Sequence, residues 1–267
     1  MPTRILHVSD LHFGAQDALS DPAAEAALAD LVTTLQPALV LASGDLTHRG
    51  TPAQHAEAAR FLRGLGAPVL AVPGNHDLPH TVPARFTRPW HEFDRNWGTT
   101  TPVFDADGLL VLGLNSVRPW HHQSGGLPGR QLDEAATRLA AARPGTLRVV
   151  AFHHQLANAP WRTRKRPLAH RSRVLARLAE AGADLIAGGH VHQASVAERH
   201  EFEVLADGAP GAVVATAPGF SRPRPGRRRE PQGLLLYTAG ATSLDVETYE
   251  WRGADFVASA ARSFPRA

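Results

Sequence analysis

Acidic, amide and imidazole side chains recur in short clusters along this chain. The clusters are Asp10-Leu11-His12, Gly44-Asp45, Asn75-His76-Asp77, His153-His154 and Gly189-His190-Val191-His192. Carboxylate oxygen, amide oxygen and imidazole nitrogen are ligands for borderline and hard divalent metals. A set of three or four histidines, two aspartates and one asparagine drawn from these clusters, without any thiol, matches a site for two metal ions.

Each cluster follows a predicted β-strand. Short apolar runs typical of buried strands cover residues 4–8, 38–43, 68–72, 147–152 and 183–188. Helix patterns separate the first three runs, one over 22–36 with Asp21 as N-cap and one from Thr51-Pro52 to Leu65. Alternation of strand and helix predicts parallel strands, and their carboxyl ends form the edge where ligands bind. The clusters are therefore expected to meet at one place.

The spacing inside two clusters suggests how pairs of side chains converge. In extended backbone, residues i and i+2 face the same side. This predicts that Asp10 and His12 reach one metal or adjacent metals, as do His190 and His192. Glycines beside the clusters, Gly44, Gly74 and Gly189, are expected to allow tight turns there.

The remainder of the chain predicts further elements and one domain over residues 1–267. A loop with a short helix near 89–97 is expected over 79–102, then strands near 102–105 and 109–114. Helices are expected over 130–143 and 168–182. The last quarter has strand patterns near 195–204, 212–217, 233–239 and 244–251, which predict a second, largely antiparallel sheet.

Composition excludes several classes of protein. The 267 residues are 43% hydrophobic and 20% charged, an ordinary globular balance. The absence of cysteine excludes disulfides, thiolate metal sites and cysteine nucleophiles. No window approaches the ~18 apolar residues that span a membrane, and no secretory signal is recognisable. These features predict no membrane partner and a cytoplasmic location.

Positive charge is concentrated in two short segments. The net charge is +3, yet residues 161–173 hold six cations and no acid, and residues 221–230 hold five arginines and one glutamate. Such segments can steer an anionic ligand into a cleft, or they can be solvated loops without a role.

The five clusters, read as D-x-H, GD, GNHD, HH and GHxH in this order, resemble the calcineurin-like metallophosphoesterase superfamily over residues 10–192. The resemblance implies an α/β fold, a four-layer α/β/β/α sandwich of two mixed sheets flanked by helices, with a dinuclear centre. Matched by motif, it implies one metal held by Asp10, His12 and His192, a second held by Asn75, His153 and His190, and Asp45 bridging both. It also implies that His76 lies beside the substrate, that Asp77 fixes the His76 ring through a hydrogen bond, and that His154 supports the ligands from behind.

The same resemblance implies a metal-dependent phosphoric ester hydrolase. Two divalent ions, Mn, Fe or Zn, would neutralise the phosphate oxygens, and a metal-bridging hydroxide would attack phosphorus. His76 would give a proton to the leaving alkoxide. The compact form, with GDLT at 44–47, PGNHD at 73–77 and GHVHQ at 189–193, is most similar to the class III cyclic-nucleotide phosphodiesterase branch. The expected substrate is a cyclic nucleotide or another small anionic diester.

Several alternatives stay open from the sequence. The same centre serves phosphomonoesterases and nucleotide-sugar pyrophosphohydrolases. A nuclease is suggested by the arginine-rich segments, although a net charge of +3 argues against an extensive basic face for nucleic acid. A non-catalytic metal-binding scaffold ranks last because His76 is present. Gln155 follows the histidine pair where the superfamily often has proline, and this difference is expected to change the loop that shapes the substrate pocket. Oligomeric state is open.

The remaining histidines and two tryptophans have simpler expectations. His7 is expected to be packed inside the first strand, whereas His80, His121 and His122 are left open. Surface positions are expected for His48, His55, His91, His170 and His200. Trp120 and Trp161 are candidates for stacking on a base, with core packing the favoured alternative.

Overall fold

A computed structural model describes residues 2–14, 21–106, 108–121, 123–161, 163, 165–223 and 230–266. Within these ranges the strands are β1 Thr3–Val8, β2 Leu39–Ala42, β3 Val69–Ala71, β4 Val103–Ala106, β5 Leu109–Gly113, β6 Leu147–Ala151, β7 Leu185–Gly188, β8 Ser195–Glu198, β9 Val213–Thr216, β10 Gly233–Ala239, β11 Ser243–Trp251 and β12 Phe256–Pro265. The helices are α1 Pro22–Leu35, α2 Pro52–Gly64, α3 Ala84–Thr87, α4 His91–Trp97, α5 Gly129–Ala140 and α6 Arg171–Glu180. A short 3₁₀ helix, Arg199–Glu201, follows β8.

The first two helices begin at the side chains that the sequence predicts as caps. The Asp21 carboxylate accepts from the Ala24 N–H, and the Thr51 hydroxyl accepts from the Gln54 N–H. Each cap satisfies a backbone donor that has no partner within its helix. A proline begins each helix, where its missing N–H is tolerated.

Two six-stranded mixed sheets form the centre of the molecule. The first sheet has the order β12-β11-β10-β1-β2-β3, with β1, β2 and β3 parallel and β10 to β12 antiparallel. The second has the order β4-β5-β6-β7-β9-β8, with β5, β6, β7 and β9 parallel. Antiparallel β4 and β8 form its two edges. The predicted α/β class with two mixed sheets is confirmed.

The prediction for the last quarter of the chain was wrong. Its strands do not make a second, antiparallel sheet of their own. β8 and β9 extend the second sheet, whereas β10 and β11 extend the first sheet beside β1. Local strand patterns gave the correct strands, but the pairing of β1 with β10 joins residues more than 200 positions apart and leaves no local signal.

Three buried apolar clusters define the layers. One lies between the sheets and includes Ile5, Leu41, Val149 and Tyr237. A second joins the outer face of the first sheet to α1 and α2, and a third joins the second sheet to α5 and α6. Because both faces of the central strands are covered, these strands are continuous apolar runs rather than alternating ones.

Residues 79–102 contain two short helices, α3 and α4, where one was predicted. In the described ranges, no helix is both long enough and apolar enough to cross a membrane.

Candidate metal centre

All seven predicted metal ligands lie just beyond the carboxyl ends of strands. Asp10 and His12 follow β1, Asp45 follows β2 and Asn75 follows β3, all from the first sheet. His153 follows β6, and His190 and His192 follow β7, all from the second sheet. The loops of the two sheets meet, since the His190 N–H donates to the Asp10 carboxylate at 2.9 Å.

Asp10, His12 and His192 form the first group. His192 Nε2 lies 3.0 Å from Asp10 Oδ1 and 3.3 Å from His12 Nε2. All three side chains are buried, and one ligand atom from each lies within 4.8 Å of the others. These distances bring three candidate ligands within reach of one ion, as the family resemblance implies.

Asp45, His153 and His190 form the second group, and one ligand atom from each again lies within 4.8 Å of the others. His153 Nε2 lies 3.3 Å from Asp45 Oδ2 and 3.1 Å from His190 Nδ1. The other ring nitrogen of His153 contacts the Ser43 carbonyl at 2.8 Å, which orients the ring. Although burial acts to lower it, the Asp45 carboxylate raises the pKa of His153 to about 9.

Several candidate metal-ligand atoms, in these groups and on Asn75, are buried without a hydrogen bond. Asn75 Oδ1 and His190 Nε2 have no hydrogen-bond partner in the described part of the chain. Asp10 Oδ1 and Asp45 Oδ2 approach histidine rings but accept no hydrogen bond of good geometry there. Leaving such an atom unsatisfied costs about 1–3 kcal/mol. A bound cation would satisfy such atoms, and oxygen and nitrogen ligands suit a borderline or hard divalent metal.

The backbone at the site is left-handed rather than extended. Positive φ values occur at Asp10 (56°), His12 (53°), Asp45 (51°), His190 (75°) and His192 (60°). The argument that residues i and i+2 converge because the backbone is extended was therefore wrong for both pairs. The pairs converge because the chain turns sharply after each strand, in a conformation uncommon outside glycine.

The predicted glycine turns are places of close approach. A Cβ on Gly74 would lie 2.1 Å from the Asp45 nitrogen, and one on Gly189 would lie 1.8 Å from the Ser9 hydroxyl oxygen. Gly44, with φ of +93°, packs against the backbone of Gly74 and the His153 ring. These contacts bring together the loops after β2 and β3 and also the loops of the two sheets, closely enough for their side chains to converge.

The predicted hydrogen bond between Asp77 and the His76 ring is wrong. His76 Nδ1 contacts the His48 carbonyl at 2.9 Å instead. The Asp77 carboxylate points into the turn and accepts from the backbone N–H groups of Gly74, Leu46 and Thr47 and from the Thr47 hydroxyl. Asp77 thus joins the loop after β2 to the loop after β3.

His48 is the site residue that the sequence reasoning placed on the surface. Its ring is half-buried and stacks with that of His76, with centroids 5.7 Å apart. Ligand atoms of His12, His48 and His76 lie within 4.8 Å of one another. The only available signal was its position three residues after Asp45, at the end of GDLTH.

Of the predictions for the other histidines, some are confirmed and one is wrong. His7 is fully buried as predicted, between the Tyr237 and Ser43 hydroxyls, and His91, His170 and His200 are exposed as predicted. His55 was wrongly placed on the surface: it is buried, and its Nε2 contacts the Asp77 carbonyl at 3.0 Å. His154 is buried behind the centre, with its ring 4.6 Å from that of His190 and Nδ1 2.8 Å from Ser116 Oγ. His80 and His121 are exposed, and His122 lies outside the described residues.

Core packing of the two tryptophans was also a wrong expectation. Trp120 is 75% exposed and Trp161 is 51% exposed. Trp120 stacks on Phe86, with ring centroids 4.3 Å apart. Gln155 is buried, and neither atom of its carboxamide has a hydrogen-bond partner among the described residues.

The arginine-rich segments are only partly described. Residues 224–229, and with them most of segment 221–230, lie outside the described residues, as do 162 and 164. Arg222 pairs with Asp21 at 3.0 Å, and Arg171 donates to the Asn158 side chain. Lys165 donates to the His190 carbonyl, so segment 161–173 contacts the candidate metal centre through Lys165.

Comparison with known proteins agrees with this geometry. The family model for calcineurin-like phosphoesterases matches residues 3–194. Two curated relatives, both named probable cyclic nucleotide phosphodiesterase, are 32% identical. The one from Synechococcus matches over 58% of this chain and 58% of its own length, and the one from Rhodococcus erythropolis over 56% and 51%. The matched part of this chain thus spans little more than half the length of these relatives.

A solved structure shows the same fold. A purple acid phosphatase from yellow lupin superposes with a TM-score of 0.73 at 12% sequence identity, covering 99% of this chain and 53% of that one. The ordered clusters, the two mixed sheets and the family match converge, and the chain belongs to the calcineurin-like phosphoesterase family. Within that family, two of the curated relatives that it matches are named probable cyclic nucleotide phosphodiesterases.

Proposed function

We propose that this protein is a dinuclear metal-dependent phosphodiesterase that hydrolyses small anionic diesters, cyclic nucleotides among them. The observation that carries the proposal is the pair of buried donor groups, Asp10-His12-His192 and Asp45-His153-His190, linked by the hydrogen bond from His190 N–H to Asp10. The names of the two curated relatives support the diester class.

The residues fit two divalent ions, Mn, Fe or Zn, and we assign the ligands as the family resemblance implies. Asp10, His12 and His192 would hold one ion, Asn75, His153 and His190 would hold the other, and Asp45 would contact both. When bound, such ions neutralise phosphate oxygens and lower the pKa of a water nucleophile. The two aspartates offset part of the added positive charge.

His76 is proposed as the general acid. Its Nδ1 is held by the His48 carbonyl, so this nitrogen carries the proton and the ring orientation is fixed. The opposite nitrogen, when protonated, can donate to the oxygen of the leaving alcohol. The ring lies 4.8 Å, centroid to centroid, from that of His12, which places it beside the proposed metals without being one of their assigned ligands.

Asp77 is proposed as a positioning residue. Its carboxylate accepts four hydrogen bonds from Gly74, Leu46 and Thr47. These bonds fix the loop that carries Asp45 relative to the loop that carries Asn75. Asp77 acts through the loops that carry these side chains rather than on the His76 ring.

The first test is hydrolysis of 3′,5′-cyclic AMP and of bis(p-nitrophenyl) phosphate by protein reconstituted with Mn²⁺. We expect turnover that falls more than about a hundredfold in Asp45→Asn, because even partners outside the ligand set cost 10–100-fold. Asp30→Asn, an exposed aspartate on α1, is the matched control and should retain full activity. Metal content measured on the same samples shows whether the loss follows the metal. Folded, metal-loaded protein that hydrolyses neither diester would overturn the proposal.

A further inference from the structure

A cavity of about 630 Å³ opens beside the proposed general acid. It lies between the start of α2, the segment after Asp77 and helices α3 and α4. His80 lines the cavity, and its ring centroid lies 6.0 Å from that of His76. Arg49, which also lines it, directly follows His48. The cavity therefore adjoins the side of the site where a leaving alcohol would receive its proton.

The cavity wall combines apolar surface with cations. Pro52, Pro79 and Ala84 supply apolar wall, and Arg49 and Arg88 supply two guanidinium groups. Neither arginine forms an ion pair with a carboxylate in the described part of the chain. One acid, Glu92, also lines the cavity, and its carboxylate faces the His91 ring at 3.7 Å. The two arginines thus leave an excess of positive charge.

Further positive charge lies behind this wall. The Arg85 side chain is buried, donates from Nε to the Pro119 carbonyl at 3.0 Å, and has an Nη2 atom with no hydrogen-bond partner among the described residues. Partial burial lowers the pKa of His80, and the charges of His76, Arg85, His48 and Arg49 lower it further. Positive groups from three segments therefore surround His80, and the space beside this ring favours an anion.

We infer that this cavity binds the leaving alcohol of the substrate and that this alcohol carries its own negative charge beyond the scissile phosphate, on an apolar body. The volume is within the range of 300–1,000 Å³ typical of small-molecule sites. A carboxylate or phosphate on the alcohol matches the guanidinium groups of Arg49 and Arg88. The inference rests on the proposed function and narrows it, since a cyclic nucleotide has no charge beyond its scissile phosphate. The preferred substrates are therefore acyclic diesters whose leaving alcohol is itself anionic.

Two nearly isosteric diesters test the inference by turnover. Bis(4-carboxyphenyl) phosphate releases an anionic phenol, and bis(4-carbamoylphenyl) phosphate releases a neutral one. We expect kcat/KM to be about tenfold higher for the carboxylate diester, and this ratio to fall about fivefold in Arg88→Gln and in Arg49→Gln. Arg95→Gln removes an exposed cation from the same region without touching the cavity, so its ratio should equal that of the wild type.

A binding measurement separates the inference from the proposed function. Titration of metal-free protein with 4-hydroxybenzoate and with 4-hydroxybenzamide, followed by ligand-observed NMR, needs no turnover. Tighter binding of the carboxylate that Arg88→Gln abolishes and Arg95→Gln retains would support the inference, even if neither diester is hydrolysed. Equal binding of the two phenols, or discrimination that survives Arg88→Gln and Arg49→Gln together, would overturn it, even if both diesters are hydrolysed.

Discussion

At the scale of single residues, the backbone of the proposed metal centre is strained. The left-handed conformation costs an L-amino acid about 1–2 kcal/mol, and five of the seven proposed ligands adopt it. Such residues persist only where the surroundings determine them strongly. Here the surroundings are the closely packed glycines and backbone hydrogen bonds such as Asp10 N–H to Gly44 O at 2.9 Å.

A pair of substitutions measures this strain. In metal-free protein we expect His192→Gly to be more stable than His192→Ala by about 1 kcal/mol, because glycine accepts a φ of 60° without cost. His153 is the matched control, since it is buried in the same centre and has no positive φ. At position 153 the alanine variant should be more stable than the glycine variant by about 0.5–1 kcal/mol. Free energies of unfolding in urea give both differences, and the same order at both positions would contradict the account.

A buried neutral histidine makes stability depend on pH. His7 lies between the Tyr237 and Ser43 hydroxyls, and burial lowers its pKa to about 3. The unfolded chain takes up a proton on His7 near pH 6.5, whereas the native protein does not. The stabilisation is therefore complete above pH 6.5 and is lost as the pH falls toward 3, by at most about 1.4 kcal/mol per pH unit.

The measurement is the free energy of unfolding of metal-free wild type and His7→Gln between pH 7.5 and 4.5. We expect the wild type to lose stability more steeply than the variant below pH 6.5. Other titrating groups are common to both proteins, so parallel curves would show that His7 contributes nothing to the pH dependence.

At the scale of elements, the loops after β2 and β3 behave as one unit because Asp77 ties them together. We expect Asp77→Asn to weaken Mn²⁺ binding by about 10–100-fold, since an amide cannot accept all of these hydrogen bonds and Asp45 and Asn75 lose their register. Equilibrium dialysis against Mn²⁺ measures the affinity without reference to turnover.

The companion variant is His76→Asn. It removes the proposed general acid but leaves the Asp77 hydrogen bonds in place, so Mn²⁺ affinity should stay within about threefold while diester turnover falls by the 10²–10⁴-fold typical of a lost general acid. If Asp77→Asn instead lowered turnover and left Mn²⁺ affinity unchanged, the result would contradict a role through the loops and would indicate that Asp77 acts on the His76 ring.

The sequence predicts elements well where the information is local. Helices α1 and α2 have caps and periodic apolar faces, and both were predicted to within a few residues. Strand β12, Phe256–Pro265, was missed because its sequence is mostly alanine, serine and arginine and its side chains are largely exposed at a sheet edge. Sheet membership of β8 to β11 was mispredicted because it depends on pairing across the chain.

The site shows the same division. Strand ends and ordered motifs predicted which residues share an edge, because parallel strands deliver their carboxyl ends together. The inward positions of His48 and His55, and the true partner of the His76 ring, depend on how the loops after β2 and β3 fold over α2. No periodicity in the sequence encodes such contacts.

At the scale of the whole molecule, the proposed ligands come from both sheets, so metal binding couples the two halves of the sandwich. An ion present at 100 times its dissociation constant adds about 2.7 kcal/mol of stability. We expect Mn²⁺ to raise the thermal midpoint by roughly 5–10 °C over EDTA-treated protein, at about 2–4 °C per kcal/mol for a chain of this size. Asp45→Asn should lose most of this increase.

Calorimetric scans with Mn²⁺ and with EDTA measure this difference, and identical thermal midpoints for the wild type would contradict the prediction.

That residues 1–267 form one domain stays a prediction. Three buried clusters packed on two adjoining sheets are consistent with it.

The pairing of β1 with β10 has a consequence for synthesis of the protein. Every proposed ligand lies before residue 193, yet β1 lies between β2 and a strand that begins at Gly233. A ribosome that has translated all the ligands has not yet made the neighbour of β1, whose edge is still open to other chains. Until the last quarter emerges, we therefore expect the nascent chain to be prone to aggregation, although all the residues proposed for chemistry have already been translated.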